Sequence, residues 1–320
     1  MRIVITGCLG YLGSSLTEYF LTKTDYEVLG IDSGMWGNFY LADRFSMTET
    51  LKGSKFSFSQ EDVRDLNHVW TANKIKDSQI IIHAAALVGA PLVDKPENTG
   101  VAREINSISV KKLIRMMGPH QRIIYFNSNS GYGHSPIPVD EESNVRPLSL
   151  YAETKLEGEK YVLEHPNGVS LRLGTVFGVS PRQRMDLLVQ DFVHQIARSR
   201  SITMYEPHFI RNFVGIKDVV RAVEFFIDRP KLSGIYNLNH PDANISKLDL
   251  AEKIATQLNP YCKVVLGESS DKDQRNCAVL TKKIQGAGFR FRHTLDTGIG
   301  EVATFISNKQ DKTLKGMRNA

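Results

Sequence analysis

Cysteine is scarce in this 320-residue chain, which has only Cys8, Cys262 and Cys277, an odd number with no close-paired spacing. Neither a disulfide framework nor a cysteine-ligated zinc site is indicated, no metal is expected, and a reducing, cytoplasmic setting fits. Long apolar runs are also missing: nothing approaches the roughly 18 residues of a membrane span. The apolar start, residues 1–20, is broken by glycine and polar residues, unlike the core of a signal peptide. No repeat or low-complexity segment occurs. Charge of one sign is not in large excess either, 40 basic against 35 acidic residues giving +5. That mild balance suits an anionic small molecule as well as nucleic acid, and no nucleic-acid recognition motif accompanies it.

What is present is ordinary globular composition, 41% apolar and 23% charged. The length allows two domains, or one α/β domain with a smaller appendage, either able to bury a sizeable core. Short apolar runs at 2–6, 27–32, 79–83, 122–127 and 169–173 read as strands. Between them, 11–22, 101–117 and 151–163 carry apolar residues at helical spacing. This alternation predicts a Rossmann-type doubly wound parallel sheet. The run Ile80-Ile81-Ile82 is apolar on both faces, as when helices cover both sides.

Beyond residue 174 the alternation loosens. Helices are expected at 186–199, 217–228, 246–258 and 296–307, and a strand at 234–239. The division expected is a dinucleotide-binding domain over 1–174, a smaller α/β substrate-binding region over 175–308, and a disordered basic tail over 309–320 carrying Lys309, Lys312, Lys315 and Arg318.

Gly7-x-x-Gly10-x-x-Gly13 follows the first strand and opens a helix. Glycine there lets the backbone turn sharply and approach a pyrophosphate, which the free N–H groups and positive end of the helix attract. Asp32, nineteen residues after Gly13, ends the second strand, where a carboxylate accepts from both ribose hydroxyls of an adenosine. The same charge repels a 2′-phosphate, and Ser33 and Gly34 follow with no adjacent Arg or Lys. NAD is therefore favoured over NADP. Asp62 either bonds the adenine amine or caps the next helix.

Tyr151-x-x-x-Lys155 lies in a helical stretch, preceded at a distance by Ser128 just past a strand. Residues four apart share a helix face, so phenol and ammonium share one environment. At roughly 4 Å and an effective dielectric near 20, one cation is worth up to about 4 kcal/mol to a phenolate. Such a tyrosine exchanges a proton with a sugar hydroxyl near neutral pH, while Lys155 holds the nicotinamide ribose and Ser128 steadies the carbonyl oxygen that forms. The competing reading is a solvated Tyr/Lys face, which the glycine motif and Ser128 weigh against.

Together with His83-Ala84-Ala85-Ala86, Asn106, Tyr132-Gly133, Arg172-Leu173 and Arg211-Asn212-Phe213-Val214 leading into Asp218-Val219, these motifs span nearly the whole chain. On them the chain resembles the extended short-chain dehydrogenase/reductases, the NAD-dependent nucleotide-sugar epimerases and dehydratases. The resemblance implies an NAD site made by Gly7, Gly10, Tyr11, Leu12, Gly13, Asp32, Asp62, Val63, Ala84, Ala85, Ala86, Asn106 and Lys155. It implies Ser128, Tyr151 and Lys155 as catalytic residues, and a nucleotide-diphosphate sugar met by Val88, Ser128, Asn129, Ser130, Thr175, Arg211 and Arg275. Arg182 and Arg184 are further substrate candidates, a plain basic loop being the alternative. The arginines suit a diphosphate because guanidinium forks match phosphate oxygens bidentately. A homodimer joined through 101–117 and 151–163 is implied as well, although burial within one chain would explain those amphipathic helices equally.

Departures from the family pattern narrow the reaction. Members that eliminate water place Asp and Glu directly after the Ser/Thr, whereas Asn129 and Ser130 cannot ionise, so a 4,6-dehydratase is disfavoured. Hydride removal at C4 remains, as a 4-epimerase or a 4-dehydrogenase, with a C4-keto reductase less favoured. The tract 127–133 and the run 180–192 look like a bacterial branch making capsule or lipopolysaccharide sugars, including enzymes acting on GDP-linked heptoses. Plain UDP-glucose/UDP-galactose 4-epimerisation is the alternative, and Val88, where many such enzymes carry Lys, counts against it. A noncatalytic dinucleotide sensor is the rival class, but it would be expected to lose Tyr151 or Lys155.

Overall fold

A computed structural model describes residues 1–48, 55–199, 201–267 and 274–318. Its strands are β1 (Arg2–Thr6), β2 (Glu27–Asp32), β3 (Lys55–Gln60), β4 (Ile80–His83), β5 (Arg122–Ser128) and β6 (Gly168–Leu173), followed by β7 (Thr175–Phe177), β8 (Ser201–Met204), β9 (Ile210–Gly215), β10 (Gly234–Leu238), β11 (Asn244–Ser246) and β12 (Lys263–Leu266). Seven of them form one sheet in the order β10-β6-β5-β4-β1-β2-β3, every neighbouring pair parallel. The expected doubly wound architecture is present. The strand order reverses between β1 and β4, and ligands of such sheets bind beyond the carboxyl ends of the strands at that point.

Both faces of the sheet are covered, and alternate residues of one strand reach opposite layers. Ile80, Ile82, Ile124 and Phe126 join Leu16, Phe20, Val219 and Phe226 on one side. Ile81, Ile123 and Tyr125 join Val110, Leu113 and Val162 on the other. Short apolar runs without alternation are the pattern such double burial requires.

The division at 174 needs correction. The chain leaves the sheet after β6, but the helix Ile216–Ile227 packs on the helix Tyr11–Lys23 and β10 completes the sheet beside β6. The smaller region is thus built from chain on both sides of β10, with its own core around Phe177, Val193, Phe213, Ile254 and Ile299. Its small sheet, β11-β9-β7, carries the strand ends that face the site.

The tail also differs from the expectation of disorder. Asp311–Lys315 is helical, Leu314 is buried, the Met185 N–H donates to the Met317 carbonyl at 2.9 Å, and Arg318 pairs with Asp191 at 2.5 Å. Leu314 and Met317 provide the apolar anchor that the lysines obscure. No helix among the described residues is long and apolar enough to cross a membrane.

Candidate active site

The glycine motif forms a turn that only glycine can make. Gly7 has φ +69°, and a Cβ there would lie 2.6 Å from the Ala85 nitrogen; at Gly13 it would lie 1.9 Å from the Gly7 carbonyl oxygen. The backbone after β1 is therefore pressed against the loop after β4 and against its own helix. That helix begins at Gly10 with no side-chain cap and no acidic residue in its first turn. Its first N–H groups and positive dipole end are left for an anion. Tyr11 is buried and Leu12 half-buried in this turn.

Asp32 stands beside it. One oxygen accepts the Leu9 N–H at 3.0 Å and the other the Gly34 N–H at 2.9 Å, while burial pushes the carboxyl up from its ordinary value. The cradle and the carboxylate fit a dinucleotide. Asp62 does not cap the next helix, Val69–Lys76, which starts at His68 without a side-chain cap; Arg64 instead holds both its oxygens, at 3.0 and 2.7 Å, and keeps the carboxyl below the ordinary range. The neighbouring Val63 is buried.

Ala84, Ala85 and Ala86 follow β4 half-buried, and Ala84 N–H donates to the Thr6 carbonyl at 3.0 Å, extending the sheet by one residue. Asn106 fixes what comes next. Its oxygen accepts the Leu87 N–H at 2.8 Å, and its amide donates to the Leu87 carbonyl at 2.9 Å and to the Thr154 hydroxyl at 3.2 Å. The Asn106 amide is spent on protein partners, so it sets the shape of the loop carrying Val88. It lies in a π-helical turn, Glu104–Ile108, inside the expected helix, a feature frequent at functional sites.

Tyr151 and Lys155 sit on one face of the helix Leu150–Glu164, whose N-cap Ser149 accepts from the Ala152 N–H. Tyr151 is half-buried against Leu87 and Val93. Lys155 is buried, its Nζ 4.0 Å from the centroid of the Tyr125 ring. Burial lowers its ammonium from the ordinary range to about 7, Glu159 opposing the shift. Glu159 lies one turn further on, buried, and accepts from Asn127, Ser170 and Arg172 at 2.6–3.1 Å. Arg172 extends this network to the Tyr132 hydroxyl at 2.9 Å. The helix approaches so closely because of Gly158, where a Cβ would meet the Asn106 carbonyl oxygen at 2.5 Å.

Ser128 ends β5, its hydroxyl accepting from the Ser130 N–H at 3.1 Å and bonding the Ser130 hydroxyl at 2.8 Å. Asn129 is fully buried, donates to Asn239 at 3.3 Å, and leaves its oxygen without a hydrogen bond. On the opposite wall, Arg275 donates to the Thr175 hydroxyl at 3.0 Å and Arg211 to the Arg275 carbonyl. Three predicted substrate residues thus meet. Arg182 and Arg184 lie elsewhere, against the start of the helix Tyr11–Lys23, with Arg184 gripping Asp186 through two nitrogens at 3.1 and 2.5 Å.

Tyr125 and Glu159 escape the reading by motif. Glu159 carries a signal, a carboxylate four residues after Lys155 on the same helix face; Tyr125 carries only its place in an otherwise apolar strand.

Known proteins resemble this chain in sequence and in fold. An "Uncharacterized UDP-glucose epimerase YtcB" of Bacillus subtilis (strain 168) is 27% identical over 242 residues, 73% of this chain and 75% of that protein. Protein CapI of Staphylococcus aureus is 26% identical over 248 residues, 72% and 70% of the two chains. The UDP-glucuronic acid 4-epimerase of Bacillus cereus, solved with UDP-glucuronic acid and NAD, superposes with a TM-score of 0.81 at 22% identity, covering 96% of this chain and 99% of that one. The model of the NAD dependent epimerase/dehydratase family matches residues 3–238. With its glycine cradle, Asp32 and Tyr151/Lys155 helix, the chain belongs to the NAD dependent epimerase/dehydratase family, and its cofactor is NAD.

Proposed function

We propose that this enzyme oxidises a nucleotide-linked sugar at C4, as a 4-epimerase or a net 4-dehydrogenase. The observation that carries the reading is the set of Ser128, Tyr151 and Lys155 at the carboxyl end of the sheet beside the glycine cradle, with no ionisable group at 129 or 130. NAD, when bound, supplies the hydride acceptor. Tyr151 takes the proton of the C4 hydroxyl and returns it. Lys155, in its charged form, favours the phenolate and holds the nicotinamide ribose. Ser128 orients the oxygen at C4. Elimination of water needs an acid beside Ser128, and the groups there are the amide of Asn129 and the hydroxyl of Ser130.

Thr175, Arg211 and Arg275 make a wall suited to the diphosphate of the substrate, the guanidinium groups being its natural partners. Val88, Asn129 and Ser130 shape the sugar end. The helices around 101–117 and 151–163 are the faces on which a homodimer would form. The tract 127–133 supports a sugar of a bacterial surface polysaccharide, GDP-linked heptose included. A UDP-sugar 4-epimerase is supported equally, by the likeness to the UDP-glucuronic acid 4-epimerase of Bacillus cereus and to the Bacillus subtilis protein named as a UDP-glucose epimerase.

Incubation with GDP-, UDP-, dTDP- and CDP-sugars, followed by mass spectrometry of the products, tests the proposal. An isomer of unchanged mass identifies an epimerase, and a loss of two hydrogens a dehydrogenase. Loss of water from every accepted substrate overturns the reading.

A further inference from the structure

We propose that Arg182 belongs to the cofactor site and there weakens the discrimination between NAD and its 2′-phosphorylated form. The local sequence argues for strong discrimination, because Asp32 is followed by no basic residue. The fold supplies one from 150 residues downstream.

Residues 178–184 leave β7 and run along the first turns of the helix Tyr11–Lys23. The Tyr11 hydroxyl donates to the Gly178 carbonyl at 2.8 Å, the Ser180 hydroxyl to the Tyr11 carbonyl at 2.7 Å, and the Arg182 N–H to the Ser14 hydroxyl at 3.1 Å. These bonds tie the loop to the helix whose N-terminus meets the pyrophosphate. The Arg182 side chain, only 7% exposed, continues toward the segment after β2. Its Nε donates to the Asn38 amide oxygen at 3.1 Å, with that amide oriented to accept, and its guanidinium carbon is 5.9 Å from the Trp36 ring centroid. Burial, with Arg184 beside it, lowers the guanidinium from its ordinary range, while Asp186, Tyr40 and Asp32 oppose that shift.

The carboxylate at the end of β2 is the group that meets the adenosine ribose and repels a phosphate at its 2′ position. A guanidinium packed on the segment that follows it, against Asn38 and Trp36, offsets that repulsion and offers a phosphate its own planar fork of donors. Asp32 already has one backbone N–H on each oxygen, so its alignment does not require the arginine. The electrostatic balance at the 2′ position does.

The test is calorimetric titration of the cofactor-free chain with NAD and with NADP, which is independent of the sugar reaction: its failure leaves the C4 reading standing. The wild type should bind NADP within about tenfold of NAD. Arg182→Gln should raise the ratio of the NADP to the NAD dissociation constant by about tenfold or more, the size of a lost charge-assisted contact. Arg182→Lys, which keeps the charge, should fall between, and Asp32→Asn should lower the ratio. Because Arg182 is buried, each variant is melted without cofactor, and the Lys variant decides the matter if the Gln variant melts early. A ratio unchanged within twofold in both Arg182 variants overturns the proposal, as does a wild type that does not bind NADP.

Discussion

Lys155 places its Nζ 4.0 Å above the ring of Tyr125, and that ring lies parallel to His83 with centroids 5.9 Å apart and planes 17° from parallel. The amine of the active-site helix therefore rests on an aromatic stack rooted in β4 and β5, and is kept from water by it. A cation over a ring face gains on the order of 1–2 kcal/mol when desolvated, less than burial takes away, which leaves Lys155 titrating near 7.

That shift has a sign in stability. At pH below about 7 folding carries the full penalty of a buried ammonium. Between pH 7 and the ordinary lysine value the unfolded chain binds a proton that the folded chain does not, so stability rises with pH. Lys155→Met should raise stability at pH 6–7 by a few kcal/mol at most, to order of magnitude, and abolish the gain between pH 7 and 10. Urea midpoints measured across that range for both chains give the difference. Parallel curves would contradict it.

His83 behaves in the opposite pH range. Its Nδ1 is 2.8 Å from the Thr6 hydroxyl and its Nε2 is buried without a hydrogen bond; burial, with Lys155 nearby, holds the ring down to about 3. The folded chain keeps His83 neutral while the unfolded chain protonates it, so stability is lost as pH falls from about 6.5 toward 3. His83→Leu should take up about one proton fewer on acid unfolding, read from the slope of unfolding free energy against pH. An unaltered slope refutes this.

Tyr151→Phe should reduce turnover by about 10²- to 10⁴-fold, the usual contribution of a positioned acid or base. NAD binding and the melting temperature should hardly move, since the hydroxyl alone is removed. Turnover is followed by exchange of the C4 proton with solvent or by product formation. Activity near that of the wild type removes Tyr151 from the mechanism.

Asn106→Ala strands the Leu87 N–H and carbonyl together, both buried. Each unsatisfied buried group costs about 1–3 kcal/mol, so the variant should lose roughly 3 kcal/mol in urea unfolding. Asn106→Asp keeps the acceptor and should lose less on the N–H side. A loss below about 0.5 kcal/mol for the Ala variant would show that water replaces the amide.

The architecture was legible wherever a residue's own neighbours decide its state. The Ile80–Ile82 run, the Gly7–Gly13 turn and the Ser246 helix start, which forms a full capping box with Asp249, all follow local rules. What stayed hidden depends on residues far apart in the chain. Strand β3, with no fully buried residue, has too weak a pattern to stand out. Strand β10 is visible as a strand, but nothing local says that it pairs with β6. Asn106 and Arg182 show the same limit in the site: a buried amide and a buried guanidinium are identified by their partners, Leu87 for one and Ser14 and Asn38 for the other.

The return of β10 to the edge of the main sheet has a consequence for biosynthesis. A ribosome must release residues beyond 238 before the nucleotide-binding layer can acquire its last strand. Until then the outer edge of β6 offers unpaired backbone groups, an invitation to intermolecular strand addition. A gene fragment ending at 174 would inherit that open edge permanently, so the two halves of this polypeptide are not exchangeable modules.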